Sequence, residues 1–134
     1  MLETFAVIQE ALPYMIQGAV VTVGIVLGAM SIGLILGVPV AVAQVFGSRL
    51  LRFVAGAYVW FFRGIPVLVL LFLFYFGLFS LMELNVSAFL TATVVLGLRG
   101  VAYQSQIFRG AILSLPQGQL KVARALGMSD VLAI

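Results

Sequence analysis

Long uncharged runs alternate with short charged stretches along this chain. No charge occurs between Glu10 and Arg49, and within that interval Gly18 to Phe46 predicts a first membrane span. At about 1.5 Å per residue it is roughly 40 Å long, more than a hydrocarbon core of about 30 Å requires, so it must tilt, bend or project. Pro39 is the natural bend point. Gly24, Gly28, Ala29, Gly33, Gly37 and Ala41 form a ridge of small residues at roughly helical spacing, the pattern that lets a second helix approach closely in lipid. Ahead of the span, residues 1–17 predict an external or interfacial segment, a short helix ending near Pro13. Phe5, Ile8 and Leu12 share one face of it, and Glu3 and Glu10 turn to water. This acidic start does not read as a cleaved secretory signal.

SRLLRFVAGAYVWFFRGIP then reads as a loop holding Arg49, Arg52 and Arg63, with Tyr58 and Trp60 at headgroup level. The second span covers residues 61–82, with Pro66 near its entry. Glu83-Leu84-Asn85 predicts a tight turn, and Asn85 or Ser87 is placed to cap a third span over residues 86–112. Pro116 ends that span. Residues 118–127 predict a short helix with Val122, Ala123 and Leu126 on one side, Lys121 and Arg124 on the other, and Gly127 at the C-cap. Ser129 and Asp130 suit the start of another helix, taken as a fourth span, so the chain reads as C-terminally truncated. The expected fold is an all-α membrane protein of three transmembrane helices plus a cytoplasmic helix.

Composition narrows the function. Only 8% of the residues are charged and 64% are hydrophobic, against about 25% charged in soluble domains, so the chain cannot present a water-facing surface. The net charge of +3 would suggest nucleic acid in a soluble protein. Here the basic residues flank apolar spans, which suits orientation in a bilayer and excludes a nucleic-acid partner. The absence of cysteine and histidine removes thiolate or imidazole metal sites and a histidine general base. Lys121 stands outside any phosphate-binding loop motif. No catalytic residue, metal or cofactor is expected, and any energy must come from another chain. The excess of Lys and Arg after spans one and three predicts a multi-pass protein of the cytoplasmic membrane with its N-terminus outside.

The candidate chemistry lies in the third span. Arg99 sits near mid-span, where an arginine costs about 2.5 to 3.5 kcal/mol and must face protein or water. Tyr103, Gln106 and Gly110 follow on its helical face, flanked by Gln104 and Ser105. Arg99, Tyr103, Gln104 and Gln106 are the candidate lining of a path for a polar or zwitterionic solute. The short helix, carried by Gly118, Gln119, Lys121, Val122, Ala123, Leu126 and Gly127, is too short to be stable alone and needs something to dock against.

Three blocks resemble the permease subunits of ABC-type importers of the polar amino acid branch, the histidine, glutamine and arginine uptake group. They are TVGIVLGAMSIGLILGVPVAVA, YVWFFRGIPVLVLLFLFYFGL and AYQSQIFRGAILSLPQGQLKVARALGMS. The last is the most specific. It resembles the family's coupling segment, with Lys121-Val122-Ala123 at the EAA motif and Gly127 in register, although Lys121 and Val122 replace the motif's glutamate and first alanine. The resemblance implies about five spans in the intact protein. It also implies a second permease subunit, identical or not, cytoplasmic ABC ATPase subunits, an external solute-binding protein and a cytoplasmic coupling helix, all set in the lipid bilayer. The competing classes are a small self-associating structural or pore-forming membrane protein, with the glycine ridge driving assembly, and a non-functional truncated permease.

Overall fold

The computed structural model describes residues 2–114, 118, 122–123 and 125–129, with side chains from residue 8 onward. Helix α1 runs from Leu2 to Phe46, α2 from Arg49 to Gly64, α3 from Val67 to Phe72, and α4 from Phe79 to Leu81. A π-helical segment, Leu73–Leu78, joins α3 to α4, and α5 extends from Ala88 to Ser114. Every regular element among the described residues is helical. Pro116, Gln119, Lys121, Arg124 and, of the expected fourth span, Asp130 onward lie outside the described residues.

The first helix departs from the expected division. It does not end near Pro13 but continues through both Pro13 and Pro39. A proline removes one backbone hydrogen bond, whereas ending a helix exposes several polar groups, which is the worse alternative in an apolar setting. Most of α1 is bare apolar surface, with Leu27, Val20 and Ile35 each more than half exposed. A soluble monomer does not leave so much contiguous hydrocarbon uncovered.

The small residues of α1 lie against α5, the largest helix-helix interface among the described residues. A methyl group at Gly28 would come within 2.6 Å of Thr93 Cγ2, and one at Gly37 within 3.2 Å of Phe108 Cε2. From the other side, a methyl at Gly97 would meet Ile32 Cβ at 2.9 Å. These partner numbers rise together along both helices, so α1 and α5 run parallel. Two parallel helices in series require the chain between them to travel back, and the segment from Val67 to Leu81 makes that return.

The expected loop around Arg52 is instead helix α2, and the correction has a clear cause. Ala55, Val59 and Phe62 are buried at helical spacing, while the interspersed arginines obscure this period in the sequence. The Ser48 hydroxyl caps the helix by accepting from Leu51 N–H at 3.3 Å. Ile65 is extended, with φ −93° and ψ 135°, as the residue before a proline tends to be. The axis then turns through 107° into Val67–Leu81. Phe61 and Phe62 therefore belong to α2, across that bend from the rest of the expected 61–82 segment. Val59, Phe62, Leu70, Val95 and Ala102 form the buried cluster where α2, α3 and α5 meet, and the Tyr58 hydroxyl donates to Leu98 O at 2.6 Å.

Glu83 adopts φ 54° in the turn before α5, and Ser87 is the capping residue, its Oγ accepting from Leu90 N–H at 3.2 Å. By length and apolar content, one described helix, Ile8–Phe46, is able to cross a membrane. Arg49–Gly64 with Val67–Leu81 makes a second when the bent pair is counted as one. Helix α5 is not among these candidate spans, because the polar residues Arg99, Gln104, Gln106 and Arg109 interrupt its apolar character.

Candidate functional site

Helix α5 has two polar faces that point to different neighbours. On one, Arg99 donates from Nη2 to the Tyr103 hydroxyl at 3.3 Å, the i to i+4 contact that its spacing predicts. The Arg99 guanidinium lies 5.1 Å from the Tyr103 ring centroid. The guanidinium of Arg63, arriving from the end of α2, lies 5.0 Å from the same centroid. One electron-rich ring thus serves two cations, an arrangement that gains strength where water is scarce. Arg99 Nε is buried and has no hydrogen-bond partner among the described residues.

A cavity of about 690 Å³ opens beside this pair, between α2 and α5. Arg52, Gly56, Val59, Trp60, Arg63 and Gly64 of α2 line one side, Tyr103, Gln106 and Arg109 of α5 the other, and Gln44 of α1 closes it. Gln106 Nε2 donates to Gln44 Oε1 at 2.8 Å and to Ser105 Oγ at 3.3 Å. Gln44 Nε2 in turn donates to Ala55 O at 3.3 Å, so the amide chain ties all three helices together. No carboxylate lines the cavity among the described residues. Its electrostatic character is set by three guanidinium groups, and it suits a bound anion.

Of the four expected path residues, Arg99, Tyr103 and Gln106 share the face toward α2, with Tyr103 and Gln106 in the cavity wall. Gln104 turns the other way and packs against α1. Its Nε2 would lie 2.7 Å from a methyl at Gly33, and its Oε1 is buried without a partner among the described residues. Gly110 is exposed and has open space around it, while Arg109 takes the place in the wall. Gln44, Arg52 and Arg109 escaped the sequence reading as site residues. The four-residue step from Arg52 to Gly56 and the step from Gly56 to Arg63 would have signalled one face of a helix, had α2 been recognised.

Of the expected coupling residues, Gly118, Val122, Ala123, Leu126 and Gly127 fall among the described residues, and Gln119 and Lys121 outside them. Gly127 has φ +83°. Leu126 N–H donates to Val122 O at 3.0 Å, and Met128 N–H reaches back to Ala123 O at 3.0 Å. The latter is the six-to-one bond of a Schellman C-cap, where a left-handed glycine carries no Cβ penalty. Val122 and Leu126 are 60% and 74% exposed, an apolar pair turned outward.

Residues 33–134 match the family described as binding-protein-dependent transport system inner membrane component. The chain belongs to that family. It is 37% identical over 125 residues to an octopine transport system permease protein of Rhizobium meliloti, covering 85% of this chain and 53% of that protein. A probable amino-acid ABC transporter permease protein of Bacillus subtilis is 38% identical over 120 residues, 90% of this chain and 53% of that one. An arginine transport system permease protein of the same organism is 35% identical over 117 residues, with 87% and 53% covered. Among solved structures, an amino acid ABC transporter described as crystallised with histidines superposes with a TM-score of 0.83 at 30% identity, covering 96% of this chain and 60% of that one. The chain spans about half the length of the curated relatives it matches.

Proposed function

We propose that this chain is part of the membrane-spanning subunit of an ATP-driven ABC importer of polar amino acids. It contributes to the translocation path and relays ATPase motion through the helix that ends at Gly127. α1, the return segment Val67–Leu81 and α5 act as three crossings in the cytoplasmic membrane. The parallel run of α1 and α5 supports this count, since it puts Arg49 and Arg52, which follow α1, on the same side as Arg109 near the end of α5. The excess of Lys and Arg there favours the cytoplasm for that side and the exterior for the N-terminus. Partners are a second permease subunit, cytoplasmic ABC ATPases that supply hydrolysis, and an external solute-binding protein. The exposed Val122 and Leu126 pair suits an apolar groove on an ATPase. Glycine-driven self-association is the weaker reading, because α5 already fills the ridge at Gly28 and Gly37.

The observation that carries the reading is the Arg99–Tyr103 pair on the polar face of α5. Arg99 already spends one donor on Tyr103, and its remaining N–H groups are suited to a substrate carboxylate. Replacing Arg99 with leucine in the intact assembly is expected to lower uptake tenfold or more, on the order of 1.4 kcal/mol, with insertion and ATPase binding retained. Unchanged uptake with an unchanged KM would assign Arg99 to packing instead.

A further inference from the structure

The Arg52, Arg63 and Arg109 cavity asks for more negative charge than one substrate carboxylate brings, and two of its arginines lie beyond Tyr103 and Gln106, toward the helix ends. Gln44 is two residues from the end of α1, and Arg109 is five from the end of α5. The cavity therefore lies toward the ends at which both parallel helices finish. α2 adds two further observations. Its axis turns through 107° relative to the return segment, so it runs across that segment, as a helix lying in the interface does. It also carries an exposed apolar stripe, Leu50 at 72%, Phe53 at 74% and Trp60 at 78%, directly beside its arginines. Trp60 belongs to both the stripe and the cavity wall.

We propose that this cavity holds the phosphate of an acidic phospholipid, with the lipid's acyl chains lying along Leu50, Phe53 and Trp60. The chemistry is phosphate recognition. Guanidinium groups fit phosphate oxygens in a planar, two-point manner. Basic pockets between membrane helices on the cytoplasmic side take such headgroups, and tryptophan is at home at that level. A volume of about 690 Å³ falls in the range of about 300–1,000 Å³ typical of small-ligand sites. Gly56 and Gly64 add no side chain, and a methyl at either would touch nothing within 4 Å, which keeps the mouth wide. A dissolved phosphate would satisfy the arginines equally well but would leave the apolar stripe uncovered, and for that reason the lipid is the assigned source. The proposal rests on the chain's place in the membrane and is independent of which solute the assembly carries.

Native mass spectrometry of the detergent-purified, intact transporter tests this with three probes: phosphatidylglycerol, phosphatidylcholine and inorganic phosphate. The wild type should retain phosphatidylglycerol at least about tenfold over phosphatidylcholine. Arg52→Gln and Arg109→Gln, which leave the Arg99–Tyr103–Arg63 group intact, should each weaken retention about fivefold, the fold-change that about 1 kcal/mol per basic residue represents. Arg49→Gln removes the same charge from α2 outside the cavity and should change little. Equal loss with Arg49→Gln would reduce the effect to diffuse surface charge and overturn the site. Displacement of the lipid by millimolar inorganic phosphate would overturn the lipid as source, and displacement by free amino acid would return the cavity to the transport path. If either cavity substitution fails to assemble, the other decides.

Discussion

The two faces of α5 solve opposite problems with the same residue type. Toward α1, glycines at positions 28, 37 and 97 bring helices together until a methyl group would collide. Toward α2, Gly56 and Gly64 border a polar space into which they send no side chain. The neighbouring residues Tyr103 and Gln104 divide between these regions, because one step along a helix turns a side chain through about 100°. The comparison teaches that a polar residue in a membrane helix takes its meaning from direction. Gln106 finds Gln44 and joins a hydrogen-bonded chain, whereas Gln104 fills a packing position against glycine and leaves its carbonyl oxygen unpartnered among the described residues.

Substitution at Gly97 should show the largest effect. Valine there would press on Ile32 Cβ, 2.9 Å from the new methyl and fixed to its own backbone, so the side chain cannot swing clear. Overpacking of this kind costs about 1 to 3 kcal/mol, seen as a lower thermal midpoint of the purified assembly; an unchanged midpoint would deny the close α1–α5 contact. Gln106→Leu should cost less, about 1 kcal/mol, since it removes the bond to Gln44. A double-mutant cycle with Gln44→Leu should recover that energy as coupling, and additivity would show that the two amides do not meet. Gly56→Ala should have the smallest effect, neutral or stabilising by up to about 1 kcal/mol, because its methyl meets no atom within 4 Å and alanine favours helix. A loss of stability at Gly56 equal to that at Gly97 would erase the distinction between the two regions.

Much of the packed region was legible in the sequence. The small-residue ridge of α1 announces a close partner, and the Arg99–Tyr103 contact follows from four-residue spacing alone. The Gly127 cap could be read from its place after an apolar-basic helix. The cavity was not legible, for two physical reasons. Arginines at positions 49, 52 and 63 suggested a water-facing loop, hiding the buried set Ala55, Val59 and Phe62 that makes α2 a helix. The Gln44–Gln106 bond joins residues 62 positions apart, a distance over which no local period carries information. Proline misled at Pro13, which was expected to end a helix and does not, whereas Pro66 stands immediately before Val67–Leu81 as expected and also marks a sharp corner.

The meshing of α1 with α5 has a mechanical consequence. Ile32 sits over Gly97, Thr93 over Gly28 and Phe108 over Gly37, so teeth from both helices engage notches on the other. An axial slip of a single residue, about 1.5 Å, would drive several of these teeth into backbone at once. The two helices are therefore geared together and travel as one rigid strut. A push delivered at the Ser114 end of α5 cannot be absorbed by sliding along α1, and it must appear instead as a tilt of both.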